Sequence, residues 1–414
     1  MNRIENFIAA KEIWLVLAIA GAGLILRLTT VIVFGHQPES DELAYQSMAL
    51  NLINGNGIVD SMGNRAMYNV GYPLFVLAPA FALFGNDIVV VRILNALLGG
   101  LAILLCYAVA RAAEVGRLGG MLAAAMWALY LPANVYVVYL AKENLMIPLM
   151  LGVIWCALLL MKRPSGVIAL SCGVLFGLLA LTGNAALSLA VPVAFALGSA
   201  YATLQKKLFL SMLILVAAAL VAAPWMVRNM QVLGAPVLNS NGGFNLYLGN
   251  NPAATGMFVS IADTPRGLTW KELRKDGEIQ ASDTLKRDAI AWILENPSAF
   301  AILALRKAAF FWKPPFHQGK GEASKAETVV RILWAIQFVL LLAGAIGTLF
   351  VARLRSRSTA ILWSAIASYM AVHMLFYVIF RYREPIMPLV CVLAAMSFLP
   401  LLQRWRYMTA SASR

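Results

Sequence analysis

The sequence predicts an all-α polytopic membrane protein, with about ten transmembrane helices, further helices lying along the membrane surface and a small mixed domain outside the membrane. Its mean hydropathy is +0.77, with 61% hydrophobic and only 13% charged residues. Apolar runs of about 20 residues recur along the chain, and that is the length at which a helix crosses the hydrocarbon core of a bilayer. A soluble domain does not have this composition.

The apolar runs of spanning length are residues 13–34, 88–110, 118–138, 143–161, 166–183, 185–204, 208–224, 328–352, 359–380 and 384–402. The first run continues past Arg27, so it is predicted to be an uncleaved first helix rather than a signal peptide. We expect Arg27 to extend its guanidinium towards the nearer surface, or to pair with Asp41, Glu42 or Glu143 and so hold the following loop in place. Residues 72–84 contain two prolines and are too short to cross, which predicts a re-entrant or interfacial helix.

Basic residues predict the orientation of these helices. They concentrate in alternate short loops, which the positive-inside rule places in the cytoplasm together with the N-terminus. These residues are Arg3, Lys11, Arg111, Arg117, Lys162, Arg163, Lys206, Lys207, Arg353, Arg355, Arg357, Arg404 and Arg406. They explain the excess of 33 basic over 19 acidic residues. No basic block is interleaved with aromatic residues, which excludes a nucleic-acid groove.

The predicted organisation has three parts. Residues 1–224 form an N-terminal transmembrane module whose first outer loop is 35–71, residues 225–327 form a domain outside the membrane, and residues 328–414 form the C-terminal transmembrane helices. The four cysteines all fall inside predicted spans, so no structural disulfide is expected. His36, His317 and His373 are too far apart in sequence to indicate a zinc site.

An acidic cluster directly follows the first span. Glu39, Asp41 and Glu42 open a stretch that predicts a short surface helix, capped by Ser40 or Asp41 and ended by Gly55-Asn56-Gly57. Carboxylates at the end of a membrane span usually contact a substrate or an ion. The alternative is that Asp41 and Glu42 only complement the dipole of that helix.

Further short motifs follow the acidic pair in a fixed order. They are Gly71-Tyr72-Pro73-Leu74, Lys142-Glu143-Asn144-Leu145, Pro224-Trp225-Met226-Val227-Arg228-Asn229, Gly242-Gly243-Phe244-Asn245 with Gly249-Asn250-Asn251-Pro252, Asn296-Pro297 with Lys307 ahead of Phe310-Phe311-Trp312, and Arg381-Tyr382-Arg383. The ordered set resembles the GT-C superfamily of membrane glycosyltransferases. It is most similar to the bacterial branch related to protein O-mannosyltransferases and lipid A aminoarabinose transferases.

This resemblance implies an enzyme of the bacterial inner membrane whose active site faces the periplasm. Such enzymes transfer a sugar from a polyprenyl phosphate, here undecaprenyl phosphate, with inversion to an envelope glycan, a lipid A or lipopolysaccharide molecule, or another acceptor. The resemblance assigns Asp41 as the general base and gives Glu42 the task of holding the acceptor or the loop. The chemistry agrees, because an acceptor hydroxyl is a poor nucleophile until a positioned carboxylate takes its proton.

The remaining expected site residues serve the lipid phosphate and the sugars. Arginine suits the phosphate because its fork donates two hydrogen bonds at once. The candidate phosphate-binding residues are Arg228 and Arg381, then Arg65, and also Arg383 and Lys142. Glu143 is a candidate for orienting sugar hydroxyls, and Tyr68 and Tyr72 for stacking on a sugar. Alternatively, these arginines face lipid headgroups, Glu143 is a helix N-terminal acid, and the tyrosines belong to an interfacial aromatic belt.

Two questions stay open in the sequence. Some members of the superfamily use Mg²⁺ or Mn²⁺, for which Glu39 and Asp41 have suitable spacing, whereas the branch with monophosphate donors implies no required metal. The rival functions are a transporter or flippase of lipid-linked sugars, which needs charges near the bilayer midplane, and a transferase similar to O-antigen ligases. The second rival would take a diphosphate-linked donor and use His317.

Overall fold

The computed structural model describes residues 3–316 and 324–412. Within these residues the regular structure is helical, apart from one isolated parallel bridge between Met257 and Val378. The predicted mixed character of the segment 225–327 therefore reduces, in its described part, to helices and this bridge. His317, the histidine of the ligase-like alternative, lies outside the described residues.

The helices are named here in chain order. They are α1 (Arg3–Val33), α2 (Asp41–Ile53), α3 (Pro73–Phe84), α4 (Ile88–Ala112), α5 (Gly116–Ala128), α6 (Leu131–Val138), α7 (Glu143–Lys162), α8 (Gly166–Thr182), α9 (Asn184–Ser199), α10 (Leu204–Leu233), α11 (Gly242–Gly249), α12 (Trp270–Lys275), α13 (Glu278–Glu295), α14 (Pro297–Trp312), α15 (Lys325–Phe350), α16 (Arg357–Leu375) and α17 (Met387–Ala412). A 3₁₀ segment, Phe380–Ile386, leads into α17.

Seven helical segments of the described chain are long and apolar enough to cross a membrane. They are Ala10–Val33 of α1, then α4, α7, α10, α15 and α16, and Phe380–Leu399. Two bent pairs pass the same test when each is taken together: α5 with α6, bent by 58°, and α13 with α14, bent by 107°. Helices α8 and α9 are shorter apolar helices. Each predicted span therefore coincides with a helix or a bent pair. The count by length and composition is seven to nine, so the number ten stays a prediction.

The transmembrane helices pack through small residues. Helix α8 lies against α10, where an added Cβ on Gly173 would stand 2.5 Å from the carbonyl oxygen of Ile214. On the next turns an added Cβ on Gly177 would stand 2.5 Å from Cβ of Val221. Glycine at both positions lets the two backbones approach closely, which is how helices gain van der Waals contact in lipid.

Arg27 occupies the break between α5 and α6. Its side chain is fully buried, and Nη1 donates hydrogen bonds to the carbonyl oxygens of Gly23, at 3.0 Å, and Ala128, at 3.4 Å. Carbonyls at the end of a helix lack intrahelical partners, and a cation there also complements the dipole. The expectation that Arg27 reaches the membrane surface, or pairs with Asp41, Glu42 or Glu143, is therefore wrong, because its guanidinium is buried and donates to backbone carbonyls of α1 and α5.

Helix α10 continues beyond the predicted span 208–224 and ends at Leu233, where Gly234 adopts the left-handed conformation with φ of 74°. The following segment is anchored to the bundle through Lys307 of α14. Its Nζ is buried and donates to Oδ1 of Asn250 at 3.0 Å and to the carbonyl oxygen of Met374 at 3.2 Å. Three separate parts of the chain are joined at this amine.

Helix α2 ends as the sequence predicts but begins differently. Its last residue is Ile53, and Gly55 and Gly57 follow with positive φ. Ser40 stands at the cap position with φ of 48° and makes no side-chain capping bond, so the predicted side-chain cap is wrong. Asp41 is instead the first helical residue, and its carboxylate is directed to another part of the chain.

Candidate active site

A cavity of about 850 Å³ lies at the end of the bundle where α1 ends and α7 and α15 begin. Four stretches of the chain line it: 34–45, 131–143, 326–334 and 379–381. Its charged or titratable lining residues are His36, Glu39, Asp41, Glu42, Tyr45, Tyr136, Tyr139, Glu143, Glu327, Arg331 and Arg381. Much of the remaining wall is apolar, with Leu131, Pro132, Val135, Val330 and Trp334 among its residues. The cavity thus joins a charged region to an apolar one.

Asp41 and Glu143 meet at a single guanidinium. Arg381, on the 3₁₀ segment, donates from Nη2 to Oδ2 of Asp41, which is 340 residues away in the sequence. Nε of Arg381 lies 3.8 Å from Oε1 of Glu143, an ion-pair distance that is too long for a hydrogen bond. Each carboxylate belongs to the first residue of a helix, where the dipole favours negative charge. The structure therefore brings three predicted site residues together in one cluster.

Lys142 and Tyr68 stand beside this cluster. Burial lowers the pKa of Lys142, and the charges of Glu143 and Asp41 oppose that change. Burial and the negative charge of Asp41 raise the pKa of Tyr68, with a smaller contribution from a hydrogen bond between the two side chains. Both shifts show side chains within electrostatic reach of the carboxylate of Asp41. Lys142 thus adds a second positive charge next to the cluster of Asp41, Glu143 and Arg381.

Glu42 has different surroundings although it is adjacent to Asp41. Its Oε1 accepts the backbone N–H of Leu140 at 2.7 Å, and its Oε2 accepts the backbone N–H of Glu39 at 3.0 Å. Nε2 of His36 lies 2.6 Å from the same Oε2, and the His36 ring packs on Tyr139 with centroids 4.4 Å apart. Both carboxylate oxygens are thus engaged by the protein, and Glu42 joins the first outer loop to the segment before α7.

Arg228 is a residue of α10 that contacts the first outer loop, and it does not line the cavity. Its Nη1 donates to the carbonyl oxygen of Arg65 at 2.8 Å, and its Nη2 to that of Ile58 at 3.0 Å. The guanidinium also lies over the ring of Trp225, 4.7 Å from the centroid. Arg65 is exposed and is likewise absent from the cavity wall. The structure therefore separates Arg228 and Arg65 from the charged cluster.

Arg383 and Tyr72 are interior residues. Arg383 is 1% exposed and donates to the carbonyl oxygens of Phe311 at 3.1 Å and Lys313 at 2.6 Å. Tyr72 is fully buried, and its hydroxyl donates to Oδ1 of Asn95 at 2.9 Å. Neither lines the cavity, and the hydrogen bonds of both go to other groups of the protein.

Arg331, Trp334 and His36 line the cavity, although the sequence did not single them out as site residues. For Arg331 and Trp334 a signal was present: an arginine followed by a tryptophan within the first turns of a predicted span, at its outer end. His36 is close to the acidic cluster in sequence, but nothing in the sequence shows that it pairs with Glu42. No group of three or more His, Cys, Asp or Glu residues in the described chain could hold a metal ion. Whether a metal is required stays a prediction.

Known proteins share this fold. The sequence profile of the family described as dolichyl-phosphate-mannose-protein mannosyltransferase matches residues 72–227, less than half of the chain. The oligosaccharyltransferase AglB from Archaeoglobus fulgidus, solved in complex with an inhibitory peptide and a dolichol-phosphate, superposes with a TM-score of 0.56 at 14% identity. That match covers 98% of this chain and 52% of AglB.

ArnT from Cupriavidus metallidurans, solved with undecaprenyl phosphate, gives a TM-score of 0.46 at 13% identity, covering 92% of this chain and 77% of ArnT. No curated protein sequence matches the chain significantly. The protein is a multi-span membrane protein with the fold of the GT-C superfamily, and the predicted resemblance is confirmed. The chain spans about half the length of AglB.

Proposed function

We propose that the protein is an inverting glycosyltransferase that moves a sugar from a polyprenyl phosphate, such as undecaprenyl phosphate, to an acceptor hydroxyl. One observation supports this proposal: the cluster of Asp41, Glu143 and Arg381 lines the same cavity as a group of apolar side chains. A lipid-linked sugar needs both, an apolar surface for its isoprenoid and charged groups at its anomeric carbon. The matched family is named for a dolichyl-phosphate-linked mannose donor, and AglB was solved with dolichol-phosphate.

In this reaction Asp41 is the general base. It takes the proton of the acceptor hydroxyl while the oxygen forms a bond to the anomeric carbon. The bond between that carbon and the phosphate oxygen breaks, and its electron pair stays on the departing polyprenyl phosphate. Arg381 positions the carboxylate by its hydrogen bond to Oδ2. Glu143 is placed to accept hydroxyl protons of the sugar, because the pair with Arg381 at 3.8 Å leaves it capacity to accept hydrogen bonds.

The acceptor and the compartment follow from the resemblance. We infer an acceptor on the periplasmic face of a bacterial inner membrane, either an envelope glycan or a lipid A or lipopolysaccharide molecule. The segment 225–327 would cover the cavity and select the acceptor, since loops carried by a rigid scaffold often determine specificity. No metal is required in this proposal, because arginine and lysine can neutralise a single phosphate.

The test is transfer of radiolabelled sugar from a panel of polyprenyl-phosphate sugars by the purified protein in lipid. Asp41→Asn should lower the rate by about 10²-fold or more, which is the usual contribution of a general base. Asp87→Asn is the matched control, because Asp87 caps α4 outside the cavity and asparagine caps equally well. Full activity of Asp41→Asn would remove the base assignment. Movement of labelled lipid across the bilayer without transfer would favour the transporter.

A further inference from the structure

The arginines around the cavity differ in what their guanidinium groups contact. Arg228 and Arg383 bind backbone carbonyls away from the cavity. Arg92 also binds backbone carbonyls, donating from Nε to that of Val138 at 2.8 Å and from Nη2 to that of His36. Arg381 holds the carboxylates of Asp41 and Glu143. Of the arginines in the described chain, Arg381 and Arg331 line the cavity. Arg331 is the one of these two that does not pair with Asp41.

Arg331 lies in the second turn of α15, on the cavity wall formed by 326–334. Its Nε and Nη2 both lie 2.7 Å from Oε1 of Glu327, one turn earlier on the same helix, and its Nη1 donates to the carbonyl oxygen of Phe316 at 2.7 Å. The two charged side chains are 27% and 34% exposed. A part-exposed ion pair of this spacing is weak, so a stronger anion can replace Glu327 at the guanidinium.

The surroundings of Arg331 select the kind of anion. Val330 and Trp334 flank it on the same helix, and Leu131 and Val135 belong to the apolar part of the same cavity. Ser324 caps the helix, accepting the backbone N–H of Glu327 at 3.1 Å, and the helix dipole places partial positive charge at this end. A guanidinium at a helix N-terminus beside an apolar wall fits a phosphate that carries a hydrocarbon chain. It fits free phosphate or a nucleotide poorly.

We propose that Arg331 binds the phosphate of the lipid donor and exchanges the carboxylate of Glu327 for phosphate oxygens when the donor enters. The fork of the guanidinium then makes two parallel hydrogen bonds to the phosphate. Arg381 remains paired with Asp41 and Glu143, so the base keeps its position while the phosphate is held by a different cation. This assignment rests on the proposed function, because it names a subsite of the same cavity.

Binding of undecaprenyl phosphate, without any sugar, tests this subsite separately from catalysis. The readout is the dissociation constant of the purified full-length protein in nanodiscs. Arg331→Gln should weaken binding about 10- to 100-fold, the range expected for charge-assisted hydrogen bonds. The dissociation constant of Arg331→Lys should lie between those of Arg331→Gln and wild type. Glu327→Gln should strengthen binding by a few fold, because it removes the competing carboxylate. Opposite effects at two neighbouring positions are not expected from a general loss of folding.

The controls separate the phosphate from the lipid chain and from the protein surface. Arg353→Gln changes an exposed arginine just beyond the other end of α15 and should leave binding unchanged. Undecaprenol, which lacks the phosphate, should bind wild type and Arg331→Gln equally, and millimolar inorganic phosphate should not displace the lipid. Unchanged binding by Arg331→Gln together with lost binding by Arg381→Gln would overturn the assignment. Normal binding with no sugar transfer from any donor would leave the subsite intact and remove the proposed function.

Discussion

Asp41 and Glu42 are adjacent acids that the fold uses in different ways. The carboxylate of Asp41 is 27% exposed, lines the cavity and has one charged partner, Arg381. Glu42 is 7% exposed, and three protein groups engage its two oxygens. Asp41 is therefore open to the cavity, as its proposed role of general base requires. Glu42 is placed to hold the loop in which Asp41 lies.

This difference predicts that Glu42→Gln reduces stability more than Asp41→Asn does. A glutamine amide places one N–H₂ group where an oxygen now accepts from Leu140 or from Glu39 and His36. A buried group left without its partner costs about 1–3 kcal/mol. Thermal unfolding of the purified protein should show a lower midpoint for Glu42→Gln and little change for Asp41→Asn.

Glu39→Gln is the control for that comparison, because the Glu39 side chain is exposed and neutralising it tests the effect of charge alone. It should unfold at the wild-type temperature. An unfolding midpoint of Glu42→Gln equal to that of Glu39→Gln would contradict the structural role given to Glu42.

The sequence could predict some site residues and not others, for a physical reason. Asp41, Glu143 and Arg381 stand at helix ends near the predicted outer face, where ends of different spans meet, so their convergence follows from topology. The partners of Arg228 are carbonyl oxygens of Arg65 and Ile58, which every residue possesses. A sequence pattern therefore cannot show which backbone carbonyl a side chain will contact. A structural arginine and a ligand-binding arginine therefore look alike until the fold is known.

At the scale of elements, the contact between α11 and α13 depends on one glycine. An added Cβ on Gly243 would stand 1.8 Å from the backbone carbonyl oxygen of Ser282, whereas one on Gly242 would meet nothing within 4 Å. The two glycines are adjacent in the sequence, and only the packing of the helices distinguishes them. Backbone atoms cannot move aside as the end of a flexible side chain can.

Gly243→Ala is therefore expected to destabilise the packing of α11 on α13 by about 1–3 kcal/mol or more, the usual cost of overpacking. Gly242→Ala should be neutral. Limited proteolysis of the segment 234–316 measures the difference, because separation of these helices exposes backbone to the protease. Equal cleavage rates in the two variants would show that this contact does not stabilise the segment.

The break between α5 and α6 shows where sequence patterns are insufficient at this scale. Residues 118–138 have the apolar character of one span, and the helical pair bends by 58° within it. Pro132 lies just after the bend, where its lack of an N–H is tolerated at the start of a helix. The proline indicates a break. That Arg27 of α1 supplies donors to the free carbonyls depends on packing between helices and could not be predicted.

At the scale of the whole molecule, the cavity requires a particular topology. Its wall comes from the end of α1, the segment between α6 and α7, the start of α15 and the 3₁₀ segment before α17. All of these positions fall on the outer face in the orientation that the basic loops predict. The charge pattern and the cavity, which are independent observations, therefore indicate the same arrangement.

Cysteine labelling with a membrane-impermeant maleimide tests this topology. Seven predicted spans, from 88–110 to 328–352, lie between Met62, which is 69% exposed, and Arg355, which is also exposed. An odd number of crossings places Met62 and Arg355 on opposite faces of the membrane. Met62→Cys should react in intact cells and Arg355→Cys only after permeabilisation. The native cysteines, Cys106, Cys156, Cys172 and Cys391, are buried and should give little background.

Leu268→Cys completes the experiment, because Leu268 is 98% exposed and six predicted spans separate it from Met62. It should therefore react like Met62→Cys.

If the bent pair α5 and α6 does not cross the membrane, one crossing is lost between Met62 and each of the other two positions. Met62 and Arg355 would then lie on the same face, and Leu268 on the opposite one. In that case Asp41 and the start of α15 could not share a face of the membrane, and the cavity itself would be excluded. The labelling pattern of these three variants thus tests the fold and the site together.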